Sequence, residues 1–593
     1  MAIEEKTPET GTGSGFGEVS RLKGIAFRYL SFGASVVGIV ALAALLIYVL
    51  IDALDLADTS PEWLLTYFVT LVVPFVGFCL YSAGDRALAR RVALALGGGL
   101  VATVAAFEAI ELLVRPIPRL TWPLAYLFVV AVPVVSYVLF VGAQRPVGTA
   151  GFGLLGRAIG GAALGTAAAM LFVVFDMRLW FLVYTIGVLP AAIAYGYGQR
   201  REIKRLTSLA VPIGVVGTVA AAFLRNVVNT YPTPILIFAW TFGVPIAAAA
   251  AALVASRNAS RLSVGGVAIA ALAAAGAGTV SGSSALPEGS AVLVFAAATA
   301  PTATYLHRTV RSGDGLVGLL LPVLLGGGAV LGAAIVGTFG IAGPDPWLDP
   351  GYVTEAPSST AIEAGLYPAI VGSVIIIAIV AVLSFVLGVG AAVFLEEYTA
   401  STGVVGAITR IIQINIANLA AVPSVVYGLL GLGLFANLLG FGYGTAVTAS
   451  LTLSLLILPI TVISAQEAIR AVPDDLRQGS YAMGATRWQT TKNVVLPEAL
   501  PGILTGTILA LGRAIGETAP LIMIGAATTV FSAPNDIWSR FSAMPMQIYA
   551  WSSFPQAEFR YGVVAAGVVT LLIVLLGMNA TAIVLRNKME RNA

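Results

Sequence analysis

Apolar runs of roughly 20 residues recur from one end of this sequence to the other, separated by short polar connections. That is the length a helix needs to cross the hydrocarbon core of a bilayer, so the solvent of this chain is largely decided. In lipid each backbone N–H and C=O must be paired inside the protein, and only helices and closed barrels achieve that. The residue-by-residue alternation of a barrel strand is absent, which leaves helices. Hydrophobic residues are 58% of the 593 and charged residues 10%, with mean hydropathy +0.94. So few charges could not cover a soluble surface of that size. The expected fold is an all-α, polytopic integral membrane protein.

Hydropathy places about sixteen transmembrane helices. They lie near 26–52, 63–83, 92–114, 120–142, 154–175, 178–198, 206–224, 233–255, 264–281, 290–306, 315–341, 367–395, 411–440, 444–466, 501–527 and 561–586. Residues 1–25 are polar and Gly/Thr-rich, and read as a disordered cytoplasmic tail rather than a signal peptide.

The region 26–311 carries an internal repeat. Pro74, Pro133, Pro190, Pro245 and Pro301 each sit inside the second helix of a pair, with a basic cluster after it. The period, roughly 57 residues, suggests about five duplicated hairpins; the alternative is chance likeness among Ala/Val/Gly-rich helices. Arg86, Arg90 and Arg91, Arg145, Arg200 and Arg201, Arg257 and Arg261, and Arg308 and Arg311 then share one side of the membrane. By the positive-inside rule that side is the cytoplasm. Both termini and the loop at 467–500 fall there too, while the acidic loop at 342–366 falls outside. The chain divides near 312, into the hairpin region and a C-terminal block at 312–593.

Much chemistry is excluded. Cys79 is the single cysteine and His307 the single histidine, so no disulfide, cysteine–histidine metal cluster or His triad is available. His307 reads as a loop-end residue at the membrane interface. No metal site and no cofactor are expected, and the sequence carries no signal for nucleic acid. None of the five lysines (Lys6, Lys23, Lys204, Lys492, Lys588) follows a glycine, so no GxxxxGK[ST] phosphate loop exists. The chain is not expected to be an enzyme.

Two polar features stand out in the C-terminal block. The first is EAIRAVPDDLRQGSYAMGATRWQTTKNVVLPEALPG, from Glu467 to Gly502. Pro473-Asp474-Asp475 starts a short helix, Gly484 breaks it, Thr486 begins a second segment and Leu496-Pro497 ends that one. Tyr481, Met483, Trp488, Val494 and Val495 are left to dock into another surface, or else to lie on the membrane. The second is Arg513 and Glu517, within a span and four residues apart. A guanidinium about halfway along a span should face a polar cavity or a partner, and its fork of donors suits an oxyanion. Glu517 on the same helical face either competes for Arg513 or forms a structural ion pair with it. Thr518 adds a hydroxyl that could equally back-bond within the helix. Asn415, Asn418 and Ser424 are further polar linings, weighed evenly against ordinary interhelical bonds. Gly502/Gly506 and Gly512/Gly516 have GxxxG spacing, which allows close approach of another helix, plausibly in a partner subunit.

The stretch 478–497 resembles the cytoplasmic EAA loop of ABC-transporter permeases. Alignment on Gly484, Ala485 and Thr486 and on Val494, Leu496 and Pro497 puts Gln478, Gly479 and Ser480 at the EAA positions, an amide replacing the leading carboxylate. GRAIGETAPL (512–521), AAVPSVVYGLLGLGLF (420–435), YPAIVGS (367–373) and MPMQIYAW (544–551) are similar to phosphate permeases of the PstA type. The likeness covers about 312–590 and implies a six-helix importer permease core after the hairpins. It also implies phosphate as substrate, for which the donors of Arg513, with Glu517 and Thr518 beside it, would offer a path. The implied partners are a second permease subunit (PstC type), an ATP-binding subunit dimer (PstB type) and an external phosphate-binding protein (PstS type). An ion-coupled secondary transporter is the reading from another class, and an ABC importer of a different oxyanion is the nearer alternative.

Overall fold

A computed structural model describes residues 21–56, 59–113, 121–171, 177–225, 227–228, 230–255, 291–399 and 403–590. All regular structure among them is helical. Among the described residues twelve helices are long and apolar enough to cross a membrane, and three shorter apolar stretches accompany them: Ala41–Ala53, Pro234–Ala250 and Ser424–Leu438. The expected sixteen is therefore not reproduced. The span expected at 264–281 lies outside the described residues. The one at 411–440 is two helices, broken at Ala421–Pro423. The one at 501–527 stops at Ile515.

In chain order the helices are α1 (Arg21–Ala53), α2 (Pro61–Ala83), α3 (Arg86–Leu113), α4 (Thr121–Ala143), α5 (Pro146–Ala169), α6 (Met177–Gln199), α7 (Lys204–Leu224) and α8 (Pro234–Ala250). There follow α9 (Ala291–Ser312), α10 (Leu316–Phe339), α11 (Tyr367–Tyr398), α12 (Gly403–Ala420), α13 (Ser424–Leu438) and α14 (Ala446–Arg470). The last are α15 (Asp474–Ala482), α16 (Arg487–Ile515), α17 (Ala519–Met523), α18 (Met544–Ser552) and α19 (Phe559–Val584).

The repeat is physical. In α2, α4, α6 and α8 the proline stands two residues past a π-helical stretch: Phe68–Val72 before Pro74, Leu127–Ala131 before Pro133, Val183–Val188 before Pro190, and Ala239–Gly243 before Pro245. Proline has no N–H to give the carbonyl four residues back, and its ring collides with that carbonyl. One wider turn just before it relieves the collision without breaking the span. Pro301 differs, lying inside α9 with no π stretch before it. His307 is also within α9, five residues before its end, rather than at a loop end.

Packing does not follow the chain. α10 packs on α2 and α5, and Leu321, Leu324 and Leu325 join the apolar cluster of Val76, Phe78 and Cys79. Conversely α1 lies along α19, and its Val49 and Ala53 belong to the main core with Val371, Ile457, Leu521 and Trp551. The ends of the intervening segment meet. The Ser60 hydroxyl donates to the Ala342 carbonyl at 2.7 Å, and the Leu348 N–H to the Ala53 carbonyl at 3.2 Å.

The core of the C-terminal block is α11 against α14, with α16 on α14 and α19 on α16. Small residues set the closest approach. A Cβ on Gly506 would lie 2.2 Å from Ser464 Cβ, and one on Gly502 would lie 2.9 Å from Ala468 Cβ. These two glycines thus pack α16 on this chain's own α14, which corrects the expectation of a partner subunit there. A Cβ on Gly512 would meet nothing nearer than Leu575 at 3.7 Å, and one on Gly516 nothing nearer than the Arg513 carbonyl at 3.9 Å. Gly506→Val should destabilise the fold by about 1–3 kcal/mol through overpacking, read as a lower Tm in detergent. Gly512→Ala, with Leu575 no nearer than 3.7 Å, should leave Tm within error.

Candidate functional site: a polar hairpin and a helix end carrying Arg513 and Glu517

α14 leaves the apolar core at Arg470, and the chain turns through Pro473 into α15, with Asp474 and Asp475 in its first turn. Acidic side chains there complement the positive end of the helix dipole. Gly484 then reverses the chain at φ +82°, in the left-handed region, with open space around its missing Cβ. The second arm opens with a complete capping box. Thr486 Oγ1 accepts from the Gln489 N–H at 3.3 Å, and Gln489 Oε1 accepts from the Thr486 N–H at 2.8 Å. A π turn, Thr491–Val495, carries the chain on into the long helix.

The arms are held together inside and open outside. Ser480 is buried and shares a hydrogen bond of 2.9 Å with Thr490, while the Ala485 N–H donates to the Ser480 carbonyl at 3.2 Å. Gln478 and Gly479 are exposed. Met483 is 85% exposed, Trp488 57% and Tyr481 41%, so three large apolar side chains of the hairpin are left uncovered. Val495 is fully buried and Val494 and Leu496 half-buried, so the two valines turn inward rather than joining them. Leu496-Pro497 does not end the second arm as expected: Pro497 stands two residues past the π turn, as the prolines of α2, α4, α6 and α8 do, and the helix runs on to Ile515.

At the other end of α16, roughly 25 Å away by helical rise from Leu496 to Arg513, the helix stops at Ile515. Gly516 caps it, donating to the Arg513 carbonyl, and Pro520 in the first turn of α17 prevents continuation. Arg513 is thus in a last turn rather than halfway along a span, and Glu517 lies beyond the helix. The pair forms nonetheless: Arg513 Nε donates to Glu517 Oε1 at 3.2 Å, with side chains 43% and 16% exposed. The carbonyls of the helix end also favour the cation. Thr518 is in the break, and its hydroxyl makes no hydrogen bond among the described residues. α17 packs on α13, where Gly428 faces Pro520 and Met523. Asn415 is exposed but its amide already donates to the Ile411 carbonyl at 2.9 Å. Asn418 is exposed and Ser424 half-buried.

Sequence reading missed the groups that anchor the hairpin. Glu396 and Glu397, in the π turn ending α11, face Arg470 and Arg477. Adjacent carboxylates closing an apolar helix were the available signal. Among the described residues no group of three or more His, Cys, Asp or Glu is arranged to hold a metal. Gly484→Ala should cost about 1–2 kcal/mol from the left-handed backbone alone, lowering Tm without a clash; an unchanged Tm would mean the turn had relaxed.

Residues 388–589 match the family of binding-protein-dependent transport system inner membrane components. The ABC transporter permease protein YqgI of Bacillus subtilis (strain 168) is 36% identical over 224 residues, covering 37% of this chain and 74% of that one. The phosphate transport system permease protein PstA 1 of Mycobacterium tuberculosis (strain ATCC 25618 / H37Rv) is 35% identical over 224 residues, covering 37% and 70%. The MetNI methionine ABC transporter, in an inward-facing crystal form, aligns at TM-score 0.32 and 18% identity over 38% of this chain and 95% of that one. The chain is a multi-pass membrane protein and belongs to the binding-protein-dependent transport system inner membrane component family.

Proposed function

We propose that this chain is a permease subunit of an ATP-driven importer carrying inorganic phosphate across the cytoplasmic membrane. The observation that carries the reading is the hairpin 474–495: a polar, internally bonded element offering Tyr481, Met483 and Trp488 outward. A short amphipathic helix displayed in this way suits a groove on a soluble partner. With no phosphate loop in the sequence, that partner supplies ATP hydrolysis. The PstA relatives supply the substrate: they are phosphate permeases, and this chain covers about two thirds or more of several of them. The assembly would comprise a PstC-type second permease, a PstB-type ATPase dimer at the hairpin, and a PstS-type binding protein outside. Both termini and the hairpin would be cytoplasmic.

The permease unit we propose is α1 together with α11–α19. α1 supplies the first helix beside α19, and α2–α10 form a block inserted after it. Hydrogen bonds joining 53 to 348 and 60 to 342 support this reading, because an insertion is tolerated where its ends meet.

In operation, ATP-driven closure of the ATPase dimer displaces the hairpin. α16 is continuous from hairpin to Arg513, so it carries that displacement along its length. Arg513 offers phosphate a fork of donors in place of water. Glu517 competes for the same guanidinium and keeps each occupancy short. No covalent step occurs in this chain. Arg513→Ala should lower phosphate uptake by proteoliposomes about tenfold or more, the worth of charged hydrogen bonds. Glu517→Gln should hold phosphate more tightly and turn over more slowly. Normal uptake by both variants, at normal membrane insertion, would leave the pair a structural role only.

A further inference from the structure

The end of α11 gathers charged contacts that a docking hairpin and a substrate path do not by themselves require. The π turn Phe394–Tyr398 carries Glu396 and Glu397. Glu396 accepts from Arg470 twice, Nη2 to Oε1 at 2.7 Å and Nε to Oε2 at 2.9 Å, and from the Gln466 amide at 2.7 Å. Glu397, only 7% exposed, accepts on Oε1 from Arg477 Nη2 at 3.3 Å and Nε at 3.4 Å. Tyr398 lies under the Arg487 guanidinium at 6.0 Å. One five-residue turn therefore touches the end of α14, α15 and the start of α16.

Arg477 is the member best placed to carry movement. It is on α15, directly before the exposed Gln478 and Gly479. Its other acceptors are the Ile469 carbonyl in the last turn of α14 at 2.7 Å, the Val472 carbonyl in the connecting turn at 2.5 Å and Asp474 on α15 itself at 3.1 Å, so apart from Glu397 it reaches only the helix that leads into the hairpin. α15 packs chiefly on the second arm of its own hairpin. Glu397 is 80 residues away in sequence, so its contact is a polar strut from the hairpin to the bundle. Parting the pair would strand the Glu397 carboxylate, 7% exposed and with no other cation on it among the described residues, while Arg477 keeps its other acceptors. From Glu397 the route continues along α11, which packs on α14, α16 and α5.

We propose that Glu397 and Arg477 are positioning residues forming the link through which hairpin displacement reaches α11. In that scheme two helices are driven at once: α16 directly, because it continues the hairpin, and α11 through this pair. The inference rests on the proposed function, in that an ATPase must move the hairpin. A pair that merely fixed the fold would lower stability when cut but would leave phosphate moved per ATP unchanged.

The test is a double-mutant cycle on the assembled complex in proteoliposomes: Glu397→Gln, Arg477→Met and both together, reading phosphate taken up per ATP hydrolysed. Each single variant should lower that ratio about tenfold, within the range that coupling residues command. The double variant should be no worse than the worse single one, and Glu397→Asp should recover part of the loss. Singles that keep the unaltered ratio, or losses that multiply in the double variant, would overturn the link. Hydrogen exchange on the unsubstituted complex covers the case of variants that fail to fold. ATP should alter exchange at 394–398 together with 474–482, and a change in the hairpin with none at 394–398 also overturns it. A hairpin that ignores ATP altogether would remove the importer reading, and the link with it.

Discussion

In a hydrocarbon solvent an unpaired polar group costs several kcal/mol, and nearly every irregularity in this structure answers that one constraint. The prolines of α2, α4, α6 and α8 follow a π stretch that makes room for them instead of breaking the span. Arg513 has Glu517 and the carbonyls of a helix end. Hydroxyls along α14 return to backbone carbonyls one turn back: Ser450 to Ala446, Thr452 to Thr448, Ser454 to Ser450 and Thr461 to Ile457. The polar stretch 474–495 meets the bundle only along one side, through Arg477 on Glu397 and Val495 in the apolar cluster of Leu395, Val462 and Ile469. It is bonded through its own capping box and the Ser480–Thr490 contact.

α16 joins the two distinctive regions. One end is the second arm of the hairpin; the other holds Arg513 in its last turn. Gly502 and Gly506 let it lie against α14 with almost no side chain between them. A displacement at the hairpin therefore has a continuous, closely packed helix along which to travel, and Glu397 gives a second connection. Geometry of this kind suits a pore worked from one side by a separate motor.

Much of the fold was legible because hydropathy and proline spacing are local properties. The all-helical membrane class, the prolines of α2, α4, α6 and α8 and the Gly484 turn could be read from the residues themselves, though not the number of spans. Helix ends inside the membrane were less legible. Gly516 and Pro520 end α16 at Ile515, but within GRAIGETAPL the apolar run continues, so hydropathy saw one span. The same held at Ala421–Pro423. Long-range packing could not be read at all: nothing local says that α1 belongs with α19 or that α10 belongs with α2. Glu397 and Arg477 escaped for that reason, being partners across 80 residues. Gly502 and Gly506 were recognised as a packing motif, but the helix they meet is this chain's own.

The most direct test of the account is ATPase activity of the chain purified with its neighbouring subunits, measured as phosphate-loaded external binding protein is added. The account predicts stimulation that depends on phosphate and on an intact 474–495 hairpin. Stimulation by another oxyanion and none by phosphate would contradict the substrate. An ATPase that never engages the chain would contradict the account as a whole.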